Sequence, residues 1–189
     1  METKHLILKY TAPLIGLKWA IARRAADMRV LHFGQITTGE KRTPQGSTRQ
    51  VSQGEFALHI QCPWRIESLD GIVTGRTDLF EPAEADAEVD WDTWDYEKEE
   101  NLQDCQIGKL LGGYDNETRS FVNQTERFVV EEVLADQFGG IIIALSGNYR
   151  VVLFSSGSRG EDWRLFQPNN LDSHFVICGG QVEEIPGGL

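Results

Sequence analysis

The sequence predicts one domain over residues 1–189 with a mainly β or α+β fold, in which two related antiparallel β-meanders pack together. Short β-branched and aromatic runs separated by turn residues predict the strands. A similar order of features in both halves predicts the two meanders. An ordinary composition, 40% hydrophobic and 25% charged, is that of a globular chain long enough to bury a core. We expect one short helix and one acidic insertion besides the strands.

The strands are clearest in the second half of the chain. Five apolar runs there have strand length and strand composition, at 128–135, 141–147, 150–156, 163–168 and 174–180. Glycine and asparagine separate them, and Gly147-Asn148 between two apolar runs indicates a hairpin. The pattern predicts an antiparallel meander.

The first half repeats this order. RAADMRVLHFG, a connector, FALHIQC and then Trp64-Arg65-Ile66 correspond to LADQFGGIIIALSG, a turn, RVVLFSS and Trp163-Arg164-Leu165. This correspondence predicts half-repeats at 12–80 and 125–185, joined through an acidic connector.

The N-terminal elements are ambiguous in sequence. Residues 13–28 have helical spacing at Leu14, Leu17 and Ile21, but Leu17, Trp19 and Ile21 also alternate as a strand does. Both a helix and a hairpin stay open, and the repeat favours the hairpin. The polar segment 40–54 has the composition of a loop.

Residues 81–100, EPAEADAEVDWDTWDYEKEE, concentrate the negative charge of the chain. They carry ten acidic residues and one lysine, a net charge of −9 out of the −11 of the whole chain. Residues 97–111 have the pattern of a short helix that Gly108 weakens. Almost all of the excess charge is therefore local.

Charge and cysteine content narrow the class of protein. An acidic chain lacks the clustered Lys and Arg that nucleic acids or anionic membranes require. Three widely spaced cysteines without a CxxC pair indicate a reduced, cytoplasmic protein. The N-terminal segment lacks the pattern of a signal peptide, and no apolar stretch has the length of a membrane span.

Two Trp-Arg pairs are the first candidate site. Neighbouring strand residues point to opposite faces, so in Trp64-Arg65 and Trp163-Arg164 one member can lie in the core while the other meets a carboxylate or a partner. The structural interpretation is a tryptophan that closes the core beside an ion-paired arginine. The functional interpretation is a recognition pair, because Trp and Arg are common interface anchors.

The acidic segment is the second candidate. Trp91 and Trp94 lie among Asp90, Asp92 and Asp95, so aromatic anchors and carboxylates together could bind a basic protein partner. The alternative is a solvated loop that docks its aromatic residues on the sheet. Calcium is disfavoured because the segment lacks glycine and the DxDxDG pattern of a calcium loop.

The other residues with catalytic or metal-binding chemistry form no recognisable motif. His32, His59 and His174 lie in strand-like runs, but no HxH or HExxH spacing supports a metal site. No phosphate loop or nucleophile elbow is present, and His59 and Cys62 would point to opposite faces of a strand. We therefore assign no catalytic residue, metal or cofactor, and the residues favour a binding protein over an enzyme.

Several segments together resemble a known group. RAADMRVLHFG, GEFALHIQCPWRI, GIVTGRTDLFEP, LADQFGGIIIALSG and EDWRLFQP, over nearly the whole chain, resemble a group of small uncharacterised bacterial proteins of about this length. An acidic single-domain chain is also similar in style to toxin-immunity proteins. The resemblance implies no function or site residues.

The sequence thus predicts a non-catalytic, protein-binding module of bacterial, cytoplasmic type. Trp91, Asp92, Trp94 and Asp95 would bind the basic partner, and the two Trp-Arg pairs would organise that surface. One alternative is an enzyme or small-ligand-binding protein with a pocket between the halves, near His59 or His174. Another is a homodimer that hides the aromatic residues and uses 81–100 as its arm.

Overall fold

The computed structural model describes residues 2–42, 46–84, 89–98, 100–170 and 173–186. Its helices are α1, Glu2–Thr11, and α2, Leu102–Leu111. Its strands are β1 Trp19–Ala25, β2 Met28–Phe33, β3 Thr37–Arg42, β4 Thr48–Gln53, β5 Phe56–Ile60, β6 Trp64–Ser68, β7 Gly71–Gly75, β8 Tyr114–Asp115, β9 Ser120–Val122, β10 Val130–Ala135, β11 Ile141–Leu145, β12 Tyr149–Leu153, β13 Glu161–Phe166, β14 Ser173–Cys178 and β15 Gln181–Pro186.

The fold is mainly β, as predicted. An eight-stranded sheet has the order β15-β14-β13-β5-β2-β1-β9-β8, a five-stranded sheet has the order β10-β11-β12-β6-β7, and β3 pairs with β4. The strand pairs are antiparallel. The core lies between the two large sheets and contains Trp19, Leu58, Trp64, Ile143 and Trp163.

Each half of the chain contributes to both sheets. β1, β2 and β5 lie in the eight-stranded sheet and β6 and β7 in the five-stranded one, whereas β10, β11 and β12 lie in the five-stranded sheet and β13 and β14 in the eight-stranded one. The halves meet where β5 pairs with β13 and β12 pairs with β6. The predicted meanders are therefore divided between the sheets.

The backbone pairings of the two halves correspond. Trp64 lies opposite Leu153 as Trp163 lies opposite Ile60. The Trp19 amide donates to the Phe128 carbonyl at 2.9 Å, and the Val130 amide donates to the Leu17 carbonyl at 2.9 Å. The pairing pattern has approximate two-fold symmetry, and descent of both halves from one repeated unit stays a prediction.

The ambiguous segment at 13–28 forms the β1–β2 hairpin rather than a helix, and residues 12–14 form a short 3-10 turn. A β-bulge between Trp19 and Ile21 interrupts the alternation, so that Trp19 and Ala22 both lie in the core. The helically spaced residues Leu14 and Ile21 thus lie in two different elements, the 3-10 turn and β1.

The loop predicted at 40–54 is wrong over 40–42 and 48–53, whereas 43–45 lie outside the described residues. Residues 37–42 and 48–53 form the β3–β4 hairpin, with Thr37 opposite Gln53 and Arg42 opposite Thr48. The backbone of β3 pairs with that of β4 although every side chain of β3 is exposed. Such a strand lacks the apolar alternation by which sequence analysis finds strands.

Among the described residues, two α-helices are present where one was predicted. α2 begins at Leu102 because the Asn101 side chain accepts a hydrogen bond from the Asp104 amide at 2.8 Å, and it ends at Gly112, whose φ of 84° is left-handed. The short helix expected over 97–111 is thus confirmed for its C-terminal two thirds. α1 precedes the first strand and packs against β10 and β15.

Candidate functional site

The candidate site is the acidic aromatic surface, which we define as residues 89–98 and 100 of the acidic segment. Its chain ends are held together, because the Ala83 amide donates to the Glu100 carbonyl at 3.1 Å and the Leu102 amide donates to the Glu81 carbonyl at 2.8 Å. The segment is therefore a closed loop at the N-terminus of α2. Residues 85–88 and 99 lie outside the described part of the chain.

A tight turn presents the two tryptophans. The Asp90 carbonyl accepts from the Trp94 amide at 2.9 Å, and the Asp90 carboxylate accepts from the Asp92 amide at 3.1 Å. Trp91 is 62% exposed and contacts the edge of Trp94, with ring centroids 5.9 Å apart. A large exposed aromatic side chain held on a rigid turn is typical of an interface anchor.

The two predicted binding carboxylates differ in their surroundings. Asp92 is exposed. Asp95 accepts from the Glu97 amide at 2.9 Å and from Lys98 Nζ at 2.7 Å. The Lys98 ammonium, together with the Glu97 amide, lowers the pKa of Asp95 below its ordinary value. Asp92 is thus the carboxylate of this pair that faces solvent.

Arg24 of β1 anchors the acidic aromatic surface to the sheet. Its guanidinium donates to the Tyr96 carbonyl at 3.0 Å and to the Asp104 carboxylate at 2.9 Å, and it lies 5.7 Å from the centre of the Tyr96 ring. Tyr96 also packs edge-on against Phe80 at 5.2 Å. One arginine therefore joins the loop, α2 and the eight-stranded sheet.

A second, buried arginine completes this anchor. Arg29 is 1% exposed, donates to Asp104 at 2.8 Å and to the Gln103 side-chain oxygen, and lies 5.9 Å from the Trp64 ring centre. Burial lowers the pKa of Arg29. Burial raises the pKa of Asp104, but the charge and hydrogen bonds of Arg29 outweigh this effect, so its pKa is lowered. Asp104 is therefore held as a carboxylate between two guanidinium groups.

A pocket of about 440 Å³ opens beside the loop. Its walls include Glu100, Cys105, Tyr114 and Phe121, and the two aromatic rings meet edge to face at 4.9 Å. Tyr114 is 51% exposed. Sequence reasoning missed this pocket, because Tyr114 and Phe121 follow α2 in short strands that no periodic pattern marks.

The two predicted Trp-Arg pairs have different surroundings from the solvent-exposed Trp91. Trp64 is 3% exposed and Trp163 is fully buried, both in the core between the sheets. Arg65 donates to Glu67 at 2.6 Å on the outer face of the five-stranded sheet, and Arg164 pairs with Glu161 on the eight-stranded sheet. The structure thus places both tryptophans in the core and pairs each arginine with a nearby glutamate.

The three strand histidines lie in different strands of the eight-stranded sheet. His32 is fully buried, and its Nδ1 accepts from the Gly54 amide at 3.3 Å. Burial lowers the pKa of His32 to about 3 and that of His59, beside Arg164, to about 4. His59 and His174 both contact the Phe166 ring, at 4.8 Å and 4.3 Å between ring centres. Among the described residues, no group of His, Cys, Asp and Glu has the arrangement of a metal site.

Cys62 is buried and Cys178 is half-buried, and both lie in strand-rich surroundings that disfavour the thiolate. Burial, with a smaller contribution from Asp162, raises the pKa of the Cys62 thiol to about 12. Burial and the neighbouring Glu183 raise that of Cys178 to about 11. Both side chains are therefore thiols at neutral pH and weak nucleophiles.

Within the described ranges, no helix is long and apolar enough to cross a membrane. Comparison of the chain with protein-family models, curated proteins and solved structures finds no significant match.

Proposed function

We propose that the chain is a non-catalytic, cytoplasmic protein of bacterial type that binds a basic protein partner through the acidic aromatic surface. The observation that carries this proposal is Trp91, a 62% exposed tryptophan that meets Trp94 edge to face on a turn surrounded by carboxylates. Burying such a ring against a partner supplies apolar contact area, and the carboxylates attract cationic groups.

The distribution of charge along the chain supports the same surface as the binding site for a basic partner. The acidic segment carries −9 of the net charge of −11, so the field of the molecule is strongest there. Arg24 and Arg29 are committed to Asp104 and Tyr96, and they fix the base of the loop without reaching its exposed tip. The hydrogen-bonded turn at 90–94 needs less ordering when it binds. A toxin-immunity role and the resemblance to small bacterial proteins are compatible with this proposal.

Affinity capture from an extract of the source cells tests the proposal. We expect the wild-type chain to retain a basic protein, and Trp91→Ala/Trp94→Ala to retain much less of it. Phe138→Ala is the matched control, because Phe138 is 66% exposed in a different turn. Recovery of no partner, or equal recovery by the double variant, would contradict the proposal.

A second candidate function is small-ligand binding, favoured by a pocket of about 280 Å³ between the halves. Four aromatic residues line it together with polar groups: Tyr10, Phe56, Phe166 and Phe175, with Lys9, Gln167 and Asn170. Phe166 contacts His59 and His174, the histidines near which such a pocket was expected. An apolar pocket with a lysine at its mouth fits a compact aromatic carboxylate.

Thermal unfolding in the presence of benzoate and indole-3-carboxylate separates this candidate from the first. A bound carboxylate raises the unfolding temperature, since it binds only the folded state. Lys9→Gln would reduce the shift, whereas Lys109→Gln, on the other helix, would leave it intact. Unchanged unfolding temperatures at millimolar ligand would contradict this second function.

A further inference from the structure

The outer face of the five-stranded sheet is apolar at its centre. In β10, β11 and β12 the side chains that point away from the core include Leu134, Ile142 and Val152, which lie side by side in the strand register. Leu134 is 47% exposed and Phe154, just beyond β12, is 43% exposed. These residues line a shallow groove of about 220 Å³, which leaves a contiguous apolar surface in water.

The approximate two-fold symmetry relates this face to the outer face of the eight-stranded sheet, and the two faces differ. The register relates Leu134, Ile142 and Val152 to Arg23, Val30 and His59 of the eight-stranded sheet. In that sheet the β3–β4 hairpin lies over the face, since Arg23 donates to the Ser52 carbonyl at 3.5 Å and Arg49 donates to the Thr118 carbonyl at 3.2 Å. Val30 is consequently only 3% exposed.

The second half has no counterpart of this hairpin. In the first half, β3 and β4 lie between β2 and β5 in the chain. At the equivalent place in the second half, a three-residue turn containing Gly147 and Asn148 joins β11 directly to β12. Both turn residues have positive φ, at 81° and 63°, as a tight hairpin requires. The face that the hairpin covers in one sheet is thus left without an intramolecular cover among the described residues in the other, and it is apolar.

Charge favours a second copy of the chain as the occupant. The charged residues in register on this face are two arginines and two glutamates, Arg65, Arg150, Glu67 and Glu132. With Asp136, which lines the groove, and the exposed Glu131, the face carries −2 of the net charge of −11. Because both signs are present, two copies can pair opposite charges here. A basic partner is drawn instead to the acidic aromatic surface.

We propose that the chain forms a symmetric homodimer in which the outer faces of two five-stranded sheets pack together. Such a contact is self-complementary, because the apolar row of each copy meets that of the other. Glu132 is exposed, and Arg150 keeps 56% of its side chain exposed beside Glu67, so each can reach the opposite charge across the contact. This surface is distinct from the acidic segment, and the proposal is independent of the function proposed above.

The size of the face determines how strong a dimer we expect. Five strands spaced by about 4.8 Å and five residues long cover roughly 24 Å by 17 Å. This footprint of about 400 Å² is roughly half of the 800 Å² of accessible surface per partner that a standard interface buries, which is the range of weak, transient contacts. We therefore expect a concentration-dependent dimer with a micromolar dissociation constant.

Sedimentation equilibrium over a series from low to high micromolar concentration tests the proposal. The wild-type chain should shift from its monomer mass of 21.3 kDa toward twice that value as its concentration rises. Leu134→Lys/Phe154→Lys should weaken association by about tenfold or more, since it places charges in the apolar contact. Trp91→Ala should leave association unchanged.

Hydrogen exchange of the wild-type chain provides a test that needs no variant. Raising the concentration should increase protection in peptides covering 130–154, where edge strand β10 lies, and not in those covering 89–100. A mass that stays at the monomer value throughout, a folded Leu134→Lys/Phe154→Lys chain that dimerises normally, or loss of the dimer in Trp91→Ala would each overturn the proposal.

Discussion

Trp64 and Trp163 occupy equivalent positions but have different polar surroundings. Trp163 Nε1 donates to the Gly139 carbonyl at 2.8 Å. Trp64 Nε1 is buried and has no hydrogen-bond partner among the described residues, and its ring instead faces the Arg29 guanidinium. The sequence shows two identical Trp-Arg pairs, whereas the partner of each indole depends on chain segments far away in sequence.

This difference predicts unequal effects of the same substitution. Trp163→Phe removes a buried hydrogen bond and leaves the Gly139 carbonyl without its donor, which costs about 1 kcal/mol or more beyond the loss of ring area. Trp64→Phe loses similar area but no hydrogen bond. Urea denaturation of both variants measures the difference, and an equal or larger loss in Trp64→Phe would contradict this account.

The residue network around Asp104 shows why the candidate site could be predicted only in part. The acidic, tryptophan-bearing segment stands out in composition, so its existence and charge follow from the sequence alone. Its anchor does not, because Arg24 and Arg29 lie about 75 to 80 positions before Asp104. The sequence contains many acidic and basic residues, and only the fold selects which of them meet.

At the scale of elements, strands with a regular pattern were predicted and irregular ones were not. The positions of the five strands predicted in the second half are confirmed, and β11 and β12 alternate between the core and the outer face, whereas β15 was not predicted. The β1 bulge disturbs this period, the β3–β4 hairpin is polar on both faces, and β8 has only two residues. Periodicity carries information only where one side of an element is buried and the other is not.

The buried histidines of β2 and β5 predict a pH dependence of stability. Their folded pKa values, about 3 for His32 and about 4 for His59, lie below the ordinary 6.5 because burial disfavours the charged ring, with Arg23 and Arg164 adding to the effect. The unfolded chain therefore binds protons first as the pH falls. The contribution of these two histidines to the free energy of unfolding is complete above pH 6.5. It decreases toward pH 4, by up to about 1.4 kcal/mol per pH unit for each histidine.

Urea denaturation between pH 7 and pH 4 checks this dependence. His59→Asn should flatten the slope, because it removes one of the titrating groups. His5→Asn is the control, since His5 is exposed on α1. Stability that is constant from pH 7 to pH 4.5, or a slope that His59→Asn leaves unchanged, would contradict the assigned burial effect.

At the scale of the whole molecule, the two halves have equivalent backbone pairings but different surfaces. The first half adds the β3–β4 hairpin, which covers its sheet face, and the acidic loop follows this half before α2. The second half has a short turn instead and leaves an apolar sheet face. We infer that the shared framework supplies stability, while the segments in which the halves differ supply the surfaces for partners.

The affinity of the captured partner as a function of salt tests the central claim most directly. Calorimetric titration at 50, 150 and 450 mM NaCl should show binding that weakens as salt rises, because exposed charges steer and hold the complex. Trp91→Ala/Trp94→Ala should lose at least about 2 kcal/mol of binding free energy, the effect expected of hot-spot tryptophans. Affinity that is independent of salt, or equal in the wild-type chain and the double variant, would contradict the assignment of the acidic aromatic surface.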